Sequence, residues 1–553
     1  MQAFRLMNQP IPHRTRGLLW GELALFVLTI VYVYPLRETA TCDDWAYART
    51  CWGLVQHGHY EWHPWLAANI PFQALWGGLF AKVMGCSFGT LRFSTLALTL
   101  VGAVAFFGVA LETGSGTFAA ALLTGALLAS PLVVRLSFSF MTNVPFLALL
   151  LLALWLYARG LRQGRWWVMG LGSLAATAAI LTRQFGIALI PGLIVVWAME
   201  SGRWRRFPLV AVGVSLPALA GLWQIWTGMT RPAWGALYAR AAQEFYFRDK
   251  SLLLLSTASR PAIVLQYLAW MCLPLVLVAG WEFFRRRPSP RSLAALAAWG
   301  VGIGLAMVCV HLEGRSPWMP YLPWHLGFLA GQPAWIRASV TLITASGAAL
   351  LARIFWLRWF DAAGWRSLSP AERLLDLVSL CLIGMHLVFF QLGDEYILVM
   401  LPFTLIAVGK HLGNRLFDLR IPLVAGCLLV WAASAEWTRG LLAGEEAQWQ
   451  AAESVVGRGV PPGEVYGPWT WVANYRFEEY LEETHGHVYR DLKDFWGRWM
   501  PEQRARARFL ITEEDVPEGE GWSLIEQRVY RGHFFVPRCV RILERRNERG
   551  SEQ

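Results

Sequence analysis

Two adjacent carboxylates are the residues of this chain whose types and spacing best suit chemistry. Asp43 and Asp44 stand in the run Thr41-Cys42-Asp43-Asp44-Trp45, directly after a long apolar segment. Paired carboxylates at a membrane surface can bind a sugar or a cation, and one of them can act as general base toward a hydroxyl. The same residues could begin a helix, because Thr41 and Asp44 have the spacing of a capping box. The two interpretations are compatible.

Three arginines are candidates for binding an anionic leaving group. Arg183, followed by Gln184, interrupts an apolar region in which an unpaired cation is costly. Its planar guanidinium suits the oxygens of a phosphate. Arg92 and Arg135 are the next candidates. Each of the three could instead extend its charged group to the lipid headgroups.

The eight cysteines have no tight metal-binding spacing. His63 stands before Pro64, and His325 lies in another predicted external loop. Either histidine could bind a metal or only form a hydrogen bond, so we predict no metal or other cofactor and leave a divalent ion open. Cys42 and Cys51 flank the acidic pair, Asp43 and Asp44, and could form a disulfide or stay as thiols.

The elements that position these residues are predicted to span a membrane. Of the 553 residues, 56% are hydrophobic and only 16% are charged, which is too apolar for a water-soluble protein of this size. The formal charge of +11 comes mainly from scattered arginines, so we predict no nucleic-acid partner. A basic start followed by an apolar run from Gly17 to Leu36 predicts an uncleaved first span.

About thirteen spans are predicted in total. The further apolar runs lie near 92–111, 116–133, 145–160, 167–182, 184–200, 206–228, 261–284, 291–311, 336–357, 374–391, 395–411 and 417–435. The segment from Asn69 to Phe88 contains Gln73 and Lys82, and we predict an interfacial helix there.

The distribution of basic residues predicts the orientation of the chain in the membrane. With a cytoplasmic N-terminus, the predicted inner loops carry arginine or lysine at 159–165, 203–206, 285–291, 353–366 and 410–420, as expected for loops on the inner side. Only the loop near Glu112 does not fit. The outer loops 37–91, 229–260 and 312–335 then form the functional face of a protein of the inner (plasma) membrane.

Residues 440–553 are predicted to form a small extracytoplasmic α/β domain, separate from a transmembrane domain over 1–436. The spanning runs end there, and alternating stretches at 464–466 and 509–511 favour short strands. We expect this domain to cap or shape the external cavity.

A known family shares this layout. The acidic pair after the first span, an interfacial segment followed by Arg92, and the run Met141-Thr142-Asn143-Val144-Pro145 before another span together resemble the class C glycosyltransferase superfamily (GT-C). The most similar branch contains the dolichyl-phosphate-mannose protein mannosyltransferases and the bacterial lipid A aminoarabinose transferases. The resemblance in layout extends over residues 17–436.

The resemblance implies a mannosyltransferase-like enzyme of the cell envelope. Such an enzyme transfers a hexosyl or pentosyl group from a polyprenyl-phosphate donor to a lipid, glycan or protein acceptor at the outer face. Asp43 matches the essential carboxylate of the family, with Asp44 beside it. Asn143 stands where relatives often carry an acid, and an amide cannot act as a base.

Tyr396 matches a tyrosine of the family, and Glu395 replaces the basic residue that many relatives have before it. The resulting set assigned to the donor and its phosphate is Arg183, Gln184, Arg92, Arg135, Asn143 and Tyr396.

The sequence therefore predicts a glycosyltransferase in which Asp43 acts as general base or orients the acceptor hydroxyl. Arg183 would assist the phosphate, and direct displacement would invert the anomeric carbon. A lipid or solute transporter or flippase is the main alternative, since many spans with few charges also describe those classes. We find no convincing repeat of the kind usual in transporters. A non-catalytic assembly factor is a second alternative.

Overall fold

The computed structural model describes most of the chain. The described residues are 13–66, 69–200, 203–230, 250–312, 332–360, 365, 367–389, 392–483, 494–516 and 521–546. His325 and most of the predicted outer loops 229–260 and 312–335 lie outside them.

Helices make up most of the described structure. Helices α1 to α10 occupy His13–Val33, Asp44–His57, Pro71–Met84, Phe88–Glu112, Thr117–Ala129, Pro131–Ser137, Asn143–Gln163, Trp166–Ile180, Leu189–Met199 and Arg203–Thr230. Helices α11 to α18 occupy Lys250–Met271, Leu273–Arg285, Pro290–Leu312, Ala334–Phe360, Pro370–Val388, Asp394–Leu412, Arg415–Asp418 and Arg420–Val456. A 3-10 turn, Gln184–Ala188, precedes α9.

The predicted polytopic helical fold is confirmed, whereas the number of thirteen spans is not. Among the described residues, seven helices are long and apolar enough to cross a membrane, or up to nine if each of two bent pairs is one span. The seven are α4, α7, α10, α13, α14, α16 and α18. Shorter apolar helices occupy Gly17–Val33, Trp166–Ile180 and Gln184–Ala198.

Two of the predicted spans are sharply bent. The span predicted at 116–133 bends by 62° at Ser130, and the one predicted at 261–284 bends by 98°. Each bend is followed by a proline at the start of the next helix, Pro131 and Pro274. Proline cannot donate the backbone hydrogen bond that would continue the preceding helix. Hydropathy does not reveal these bends because both arms are apolar.

The predicted interfacial segment forms α3, which has two different faces. Gln73 is buried, and its amide donates to the Phe140 carbonyl at 2.6 Å. Leu75, Leu79 and Val83 are exposed at four-residue spacing, so they form one apolar stripe along the helix. This arrangement suits a helix with one side on the protein and the other in lipid.

The basic helix ends collect at one end of the bundle, which we call the basic end. Its residues are joined by ion pairs between Arg162 and Glu112 (2.8 Å), Lys410 and Glu372 (3.4 Å), Arg358 and Asp376 (2.9 Å), and Arg415 and Glu282 (3.5 Å). These basic residues are ones that the sequence assigned to inner loops. Helices α4, α7 and α16 begin at the opposite end, which carries the acidic pair.

The C-terminal region begins without a break in the chain. Helix α18 runs for 37 residues, so the division predicted at 436–440 falls inside it. The later elements are a 3-10 turn Pro462–Glu464, β1 Val465–Tyr466, α19 Trp469–Glu483, a π-helix Asp494–Trp499, α20 Met500–Arg506, β2 Phe509–Thr512, β3 Trp522–Arg531, a 3-10 turn His533–Phe535 and β4 Pro537–Arg545.

The strands form one small sheet in the order β1-β2-β4-β3, as expected for the predicted α/β region. Strands β1 and β2 are parallel, with Val465 opposite Phe509. Strands β3 and β4 form an antiparallel hairpin that closes at Arg531 opposite Pro537. The sheet packs on the second half of α18.

We expect the buried ion pair of α14 and α15 to be important for stability. Asp376 is fully buried, and its carboxylate accepts three hydrogen bonds of 2.9 to 3.1 Å from Arg358. Asp376→Ala leaves a buried cation without its partner, so the free energy of unfolding should fall by about 3–5 kcal/mol. Titration of the purified protein with sodium dodecyl sulfate measures this change.

The control is Asp418→Ala, which removes an exposed partner of Arg415. We expect it to change the free energy of unfolding by less than about 1 kcal/mol. Equal losses in the two variants would contradict the role given to the buried pair.

Candidate active site

Asp44 is a buried carboxylate that joins two parts of the chain. One oxygen accepts a hydrogen bond from the Thr41 hydroxyl (2.8 Å) and the other accepts from the backbone N–H of Phe140 (3.0 Å). Helix α2 begins at Asp44, and Asp43 at the N-cap position makes no side-chain capping bond. Burial raises the pKa of Asp44 to about 6, although Arg92 and these hydrogen bonds lower it.

Asp43 lies in a different environment from its neighbour. Its side chain is partly exposed, and one oxygen accepts a hydrogen bond from the indole N–H of Trp65 at 2.8 Å. Burial raises the pKa of Asp43, and the bond from Trp65 opposes that rise. Asp43 is therefore held in one orientation by Trp65 and is the more accessible of the two carboxylates.

Arg92 holds the segment that leads to the acidic pair. Its fully buried guanidinium donates to the carbonyl oxygens of Pro35 (3.2 Å), Arg37 (2.5 Å) and Thr39. Residues 34–41 form neither helix nor strand, so their buried carbonyls need donors from elsewhere. The predicted contact of Arg92 with a donor phosphate does not fit this geometry, because its two terminal nitrogens already serve the backbone.

Arg183 and Tyr396 form a stacked pair at the same end of the bundle. The guanidinium carbon of Arg183 lies 4.6 Å from the centre of the Tyr396 ring, and both side chains are buried. Arg183 precedes the 3-10 turn, and Tyr396 lies in the first turn of α16. Gln184, next to Arg183, is exposed. The structure thus brings Arg183 and Tyr396 together from distant parts of the sequence.

Asn143 begins α7 beside the start of α16. Its amide nitrogen donates to the Glu395 carbonyl at 3.2 Å. The amide oxygen of Asn143 and one carboxylate oxygen of Glu395 are buried without a hydrogen-bond partner within the described residues. Such atoms can accept a hydrogen bond from water or from a bound ligand. Asn143 connects two helices and offers an acceptor atom, but it supplies no base.

Tyr47 is a site residue that the sequence reasoning missed. It is buried one helical turn after Asp43, and burial together with Asp43 raises its pKa. The charges of Arg183 and Tyr396 also act on it. Tyr47 therefore lies within electrostatic range of both Asp43 and the Arg183–Tyr396 stack. The four-residue spacing from Asp43 was the signal that could have identified it.

Arg135 approaches the acidic pair from α6. It is buried, and one terminal nitrogen has no hydrogen-bond partner in the described part of the chain. Its positive charge lowers the pKa of Asp44 and opposes the burial that raises the pKa of Cys42. The structure therefore places Arg135 in the electrostatic environment of Asp44 and Cys42.

The possible metal and disulfide sites have other arrangements. His63 accepts a hydrogen bond from the Trp65 backbone at 3.2 Å, and its ring contacts Trp45. No group of three or more His, Cys, Asp or Glu side chains is placed to hold a metal ion among the residues described. Cys42 and Cys51 do not form a disulfide, and the Cys51 thiol donates to the Ala74 carbonyl.

The C-terminal region packs directly beside the acidic pair. Phe477 of α19 contacts the Trp45 ring at 5.3 Å, and Phe495 contacts Trp65 at 4.9 Å. Arg37 forms an ion pair with Glu446 of α18. Helix α19, the π-helix and the second half of α18 therefore help to position α2 and Trp65.

An apolar groove begins one turn from Arg183. It has a volume of about 760 Å³ and is lined by Ile187, Ala188, Ile190, Pro191, Ala218, Leu222, Ile225, Cys381, Gly384, Met385 and Val388. The ring of Phe185 stacks on His386 at 4.4 Å, and His386 lies 5.9 Å from the Tyr396 ring. Aromatic contacts thus connect residues beside the groove lining with the Arg183–Tyr396 stack.

Part of the chain matches a known family. Residues 63–226 match the family model described as dolichyl-phosphate-mannose-protein mannosyltransferase. The predicted resemblance is confirmed over this range, which contains Arg92, Arg135, Asn143 and Arg183. No curated protein matches the chain.

Several solved structures are similar to the chain at low sequence identity. ArnT from Cupriavidus metallidurans bound to undecaprenyl phosphate is 16% identical, with 94% of this chain and 98% of that chain covered and a TM-score of 0.41. The Archaeoglobus fulgidus oligosaccharyltransferase AglB is 12% identical, with coverages of 89% and 69% and a TM-score of 0.44. A chain of the S. cerevisiae protein O-mannosyltransferase Pmt1-Pmt2 complex is 11% identical, with a TM-score of 0.35. This match covers 45% of the present chain and only 39% of the yeast chain.

The buried position of Asp44 predicts a pH dependence of stability. Its pKa rises from 3.8 to about 6 on folding. The contribution of protonated Asp44 to the free energy of unfolding is therefore fully present below pH 3.8 and is lost as the pH rises through 6. The free energy of unfolding should fall by about 3 kcal/mol over this window through this group. Comparison of the wild type with Asp44→Asn in detergent, from pH 3.5 to 7, isolates the effect.

The Asp44→Asn variant keeps an oxygen that can accept the hydrogen bond from the Phe140 N–H, but its side chain no longer titrates. Its thermal unfolding midpoint should therefore fall less than that of the wild type between pH 4 and 6.5. An identical pH profile in both proteins would show that Asp44 does not titrate in this way.

Proposed function

We propose that this chain, mannosyltransferase-like over residues 63–226, is a membrane glycosyltransferase that uses a polyprenyl-phosphate sugar as its donor. The observation that carries the proposal is the convergence of three features at one end of the bundle. The first feature is the accessible carboxylate of Asp43, and the second is the buried cation of Arg183, which is stacked on Tyr396. The third is an apolar groove that begins beside Arg183.

Asp43 is proposed to accept the proton of the acceptor hydroxyl. As that proton leaves, the hydroxyl oxygen forms a bond to the anomeric carbon, and the bond from this carbon to the donor phosphate breaks. The electron pair of the broken bond goes to the phosphate, and the anomeric carbon is inverted. A pKa raised by burial makes the Asp43 carboxylate a stronger base than an exposed aspartate.

Arg183 is proposed to bind the phosphate that leaves. The tyrosine ring holds one face of the guanidinium without neutralising its charge. A planar guanidinium can donate two hydrogen bonds to phosphate oxygens and stabilise the charge that develops there. Gln184 is exposed beside Arg183 and is proposed to contact the donor as well.

The groove is proposed to bind the polyprenyl chain. Its lining residues are nearly all apolar, and they come from the 3-10 turn, α9, α10 and α15. A hydrocarbon chain bound there would carry its phosphate toward Arg183, which is four residues before Ile187. Burial of hydrocarbon supplies binding energy that does not depend on the sugar.

The other predicted donor residues are proposed to shape the site. Arg92 positions the segment before Asp43, and Arg135 balances the charge of Asp44. Tyr396 supports Arg183, and Asn143 joins α7 to α16. No metal role follows from these contacts.

The reaction is proposed to take place at the outer face of the inner (plasma) membrane. The basic end of the bundle lies opposite the acidic pair, and basic helix ends favour the cytoplasmic side. In this proposed orientation the N-terminus lies in the cytoplasm and the C-terminal region lies outside. The acceptor is then a lipid, a glycan or a protein of the cell envelope.

A transporter or flippase is not favoured as an alternative. Residues 63–226 match a mannosyltransferase family model, and this range contains Arg183, which supports a sugar transferase over a transporter. Charged groups within a helical bundle would not by themselves distinguish a transferase from a transporter or flippase.

Asp43→Asn tests the proposed base. The amide keeps an acceptor for the Trp65 N–H but cannot take a proton, so kcat should fall by about 100-fold or more. Transfer of isotope-labelled sugar from polyprenyl phosphate to membrane extract gives the rate, and the thermal midpoint checks folding.

Glu61→Gln is the control, because Glu61 is an exposed acid of the same loop. It should keep the wild-type rate. Transfer by folded Asp43→Asn within about twofold of wild type would rule out a base at this position.

Gly384→Leu tests the lipid groove. A Cβ at Gly384 meets nothing within 4 Å, so the new side chain can occupy the groove without distorting α15. KM for a long-chain polyprenyl donor should rise about tenfold, since the side chain removes space from the hydrocarbon. KM for a donor with a short chain should change much less.

The control is Gly300→Leu, at an equally open glycine of α13 that does not line the groove. It should leave both KM values unchanged. The same KM for the long-chain donor in Gly384→Leu and wild type would show that the chain binds elsewhere.

A further inference from the structure

The turn between β3 and β4 exposes three large apolar side chains together. Phe534 is 71% exposed, Phe535 52% and Val536 55%. Both phenylalanines have positive φ angles, 53° and 57°, which bulky residues rarely adopt. We call residues 533–536 the hairpin tip. An exposed apolar cluster of this kind in a membrane protein suggests a contact with lipid or with another protein.

The conformation of the hairpin tip is fixed by contacts with α18. His533 stacks on Trp437 with their ring centres 3.9 Å apart and planes 2° apart. Arg439 donates to the Gly532 carbonyl at 2.6 Å, and its guanidinium carbon lies 4.2 Å from the Phe535 ring centre. These contacts hold the backbone in its left-handed conformation, so the phenylalanines stay exposed in a defined position.

The hairpin tip lies where two predicted spans end. Glu436 of α18 accepts hydrogen bonds from the Phe534 backbone N–H and from the Tyr32 hydroxyl at the end of α1. The predicted last span ends at 435, and α1 ends at Val33. Tyr32 and the nearby Tyr34 are themselves substantially exposed. The aromatic residues of the tip therefore continue an aromatic girdle of the type found at membrane interfaces.

We propose that the hairpin tip inserts Phe534 and Phe535 into the bilayer, in the leaflet next to the acidic pair. The ligand is a phospholipid surface. This contact anchors the β3–β4 hairpin to the membrane through residues that no spanning helix supplies. Because the sheet packs on α18, which also binds Arg37 through Glu446, the anchor helps to hold the C-terminal region beside Asp43. The inference does not depend on the proposed activity.

Photo-crosslinking tests this proposal in the full-length protein. Phe534→p-benzoylphenylalanine places a photoreactive group of similar shape at the tip. The protein is reconstituted in nanodiscs of phosphatidylethanolamine and phosphatidylglycerol, irradiated and digested, and lipid adducts are measured by mass spectrometry. Val31→p-benzoylphenylalanine, at a 70% exposed position in the apolar run of α1, calibrates the yield for a lipid-facing residue.

Leu524→p-benzoylphenylalanine is the matched control. Leu524 is 56% exposed on β3 of the same hairpin, ten residues before Phe534. We expect the lipid-adduct yield at 534 to approach that at 31 and to exceed that at 524 by about tenfold. Equal yields at 534 and 524 would overturn the proposal. Adducts at 534 to a second copy of the chain, without lipid adducts, would also overturn it and would indicate a protein interface.

Discussion

The buried contact of Arg92 with the backbone is the interaction on which the site depends. Between α1 and α2 the chain forms no regular secondary structure, and its inward carbonyls would lack donors without this guanidinium. The same segment also supplies an acceptor to α4. The carboxylate of Glu38 accepts hydrogen bonds from the backbone N–H groups of Phe88 and Gly89 at the start of α4, and the N-terminal end of a helix favours negative charge. The two contacts attach the segment to α4 and so fix where the acidic pair lies.

The two carboxylates of the pair have different environments and therefore suit different roles. Asp44 is surrounded by donors and has no open face, so its ionisation affects stability more than chemistry. Asp43 is held by the single indole of Trp65 and is partly exposed. Two neighbouring carboxyl groups in unlike surroundings differ in their ease of ionisation, and this difference can separate their roles.

The site is assembled from residues far apart in the chain, and the sequence could predict only part of it. Asp43 and Asp44 were visible because acids are rare beside an apolar run, and Arg183 was visible because it interrupts one. Tyr396 and Asn143 came from the resemblance to a family. That Arg183 stacks on Tyr396 depends on the packing of helices more than two hundred residues apart, which no local pattern encodes.

Other features depend on properties that hydropathy does not measure. Arg92 positions the segment before the acidic pair because three backbone carbonyl oxygens surround its guanidinium. Tertiary structure brings these carbonyls together. The bends before Pro131 and Pro274 lie within continuous apolar runs. Helix α18 extends past residue 440 because its outer half is covered by the sheet, so its polar residues do not end it. Tyr47, in contrast, could have been predicted from its spacing to Asp43.

The proposed function requires the acidic pair to lie on the non-cytoplasmic side, opposite the basic end. Cys86 tests it most directly, because this native, exposed cysteine lies just before α4 at the end that carries the pair. A membrane-impermeant maleimide is applied to intact cells and to inverted membrane vesicles, Cys86→Ser serves as the blank, and labelled peptides are identified by mass spectrometry. We expect Cys86 to be labelled in intact cells, and labelling only in inverted vesicles would contradict the proposed orientation.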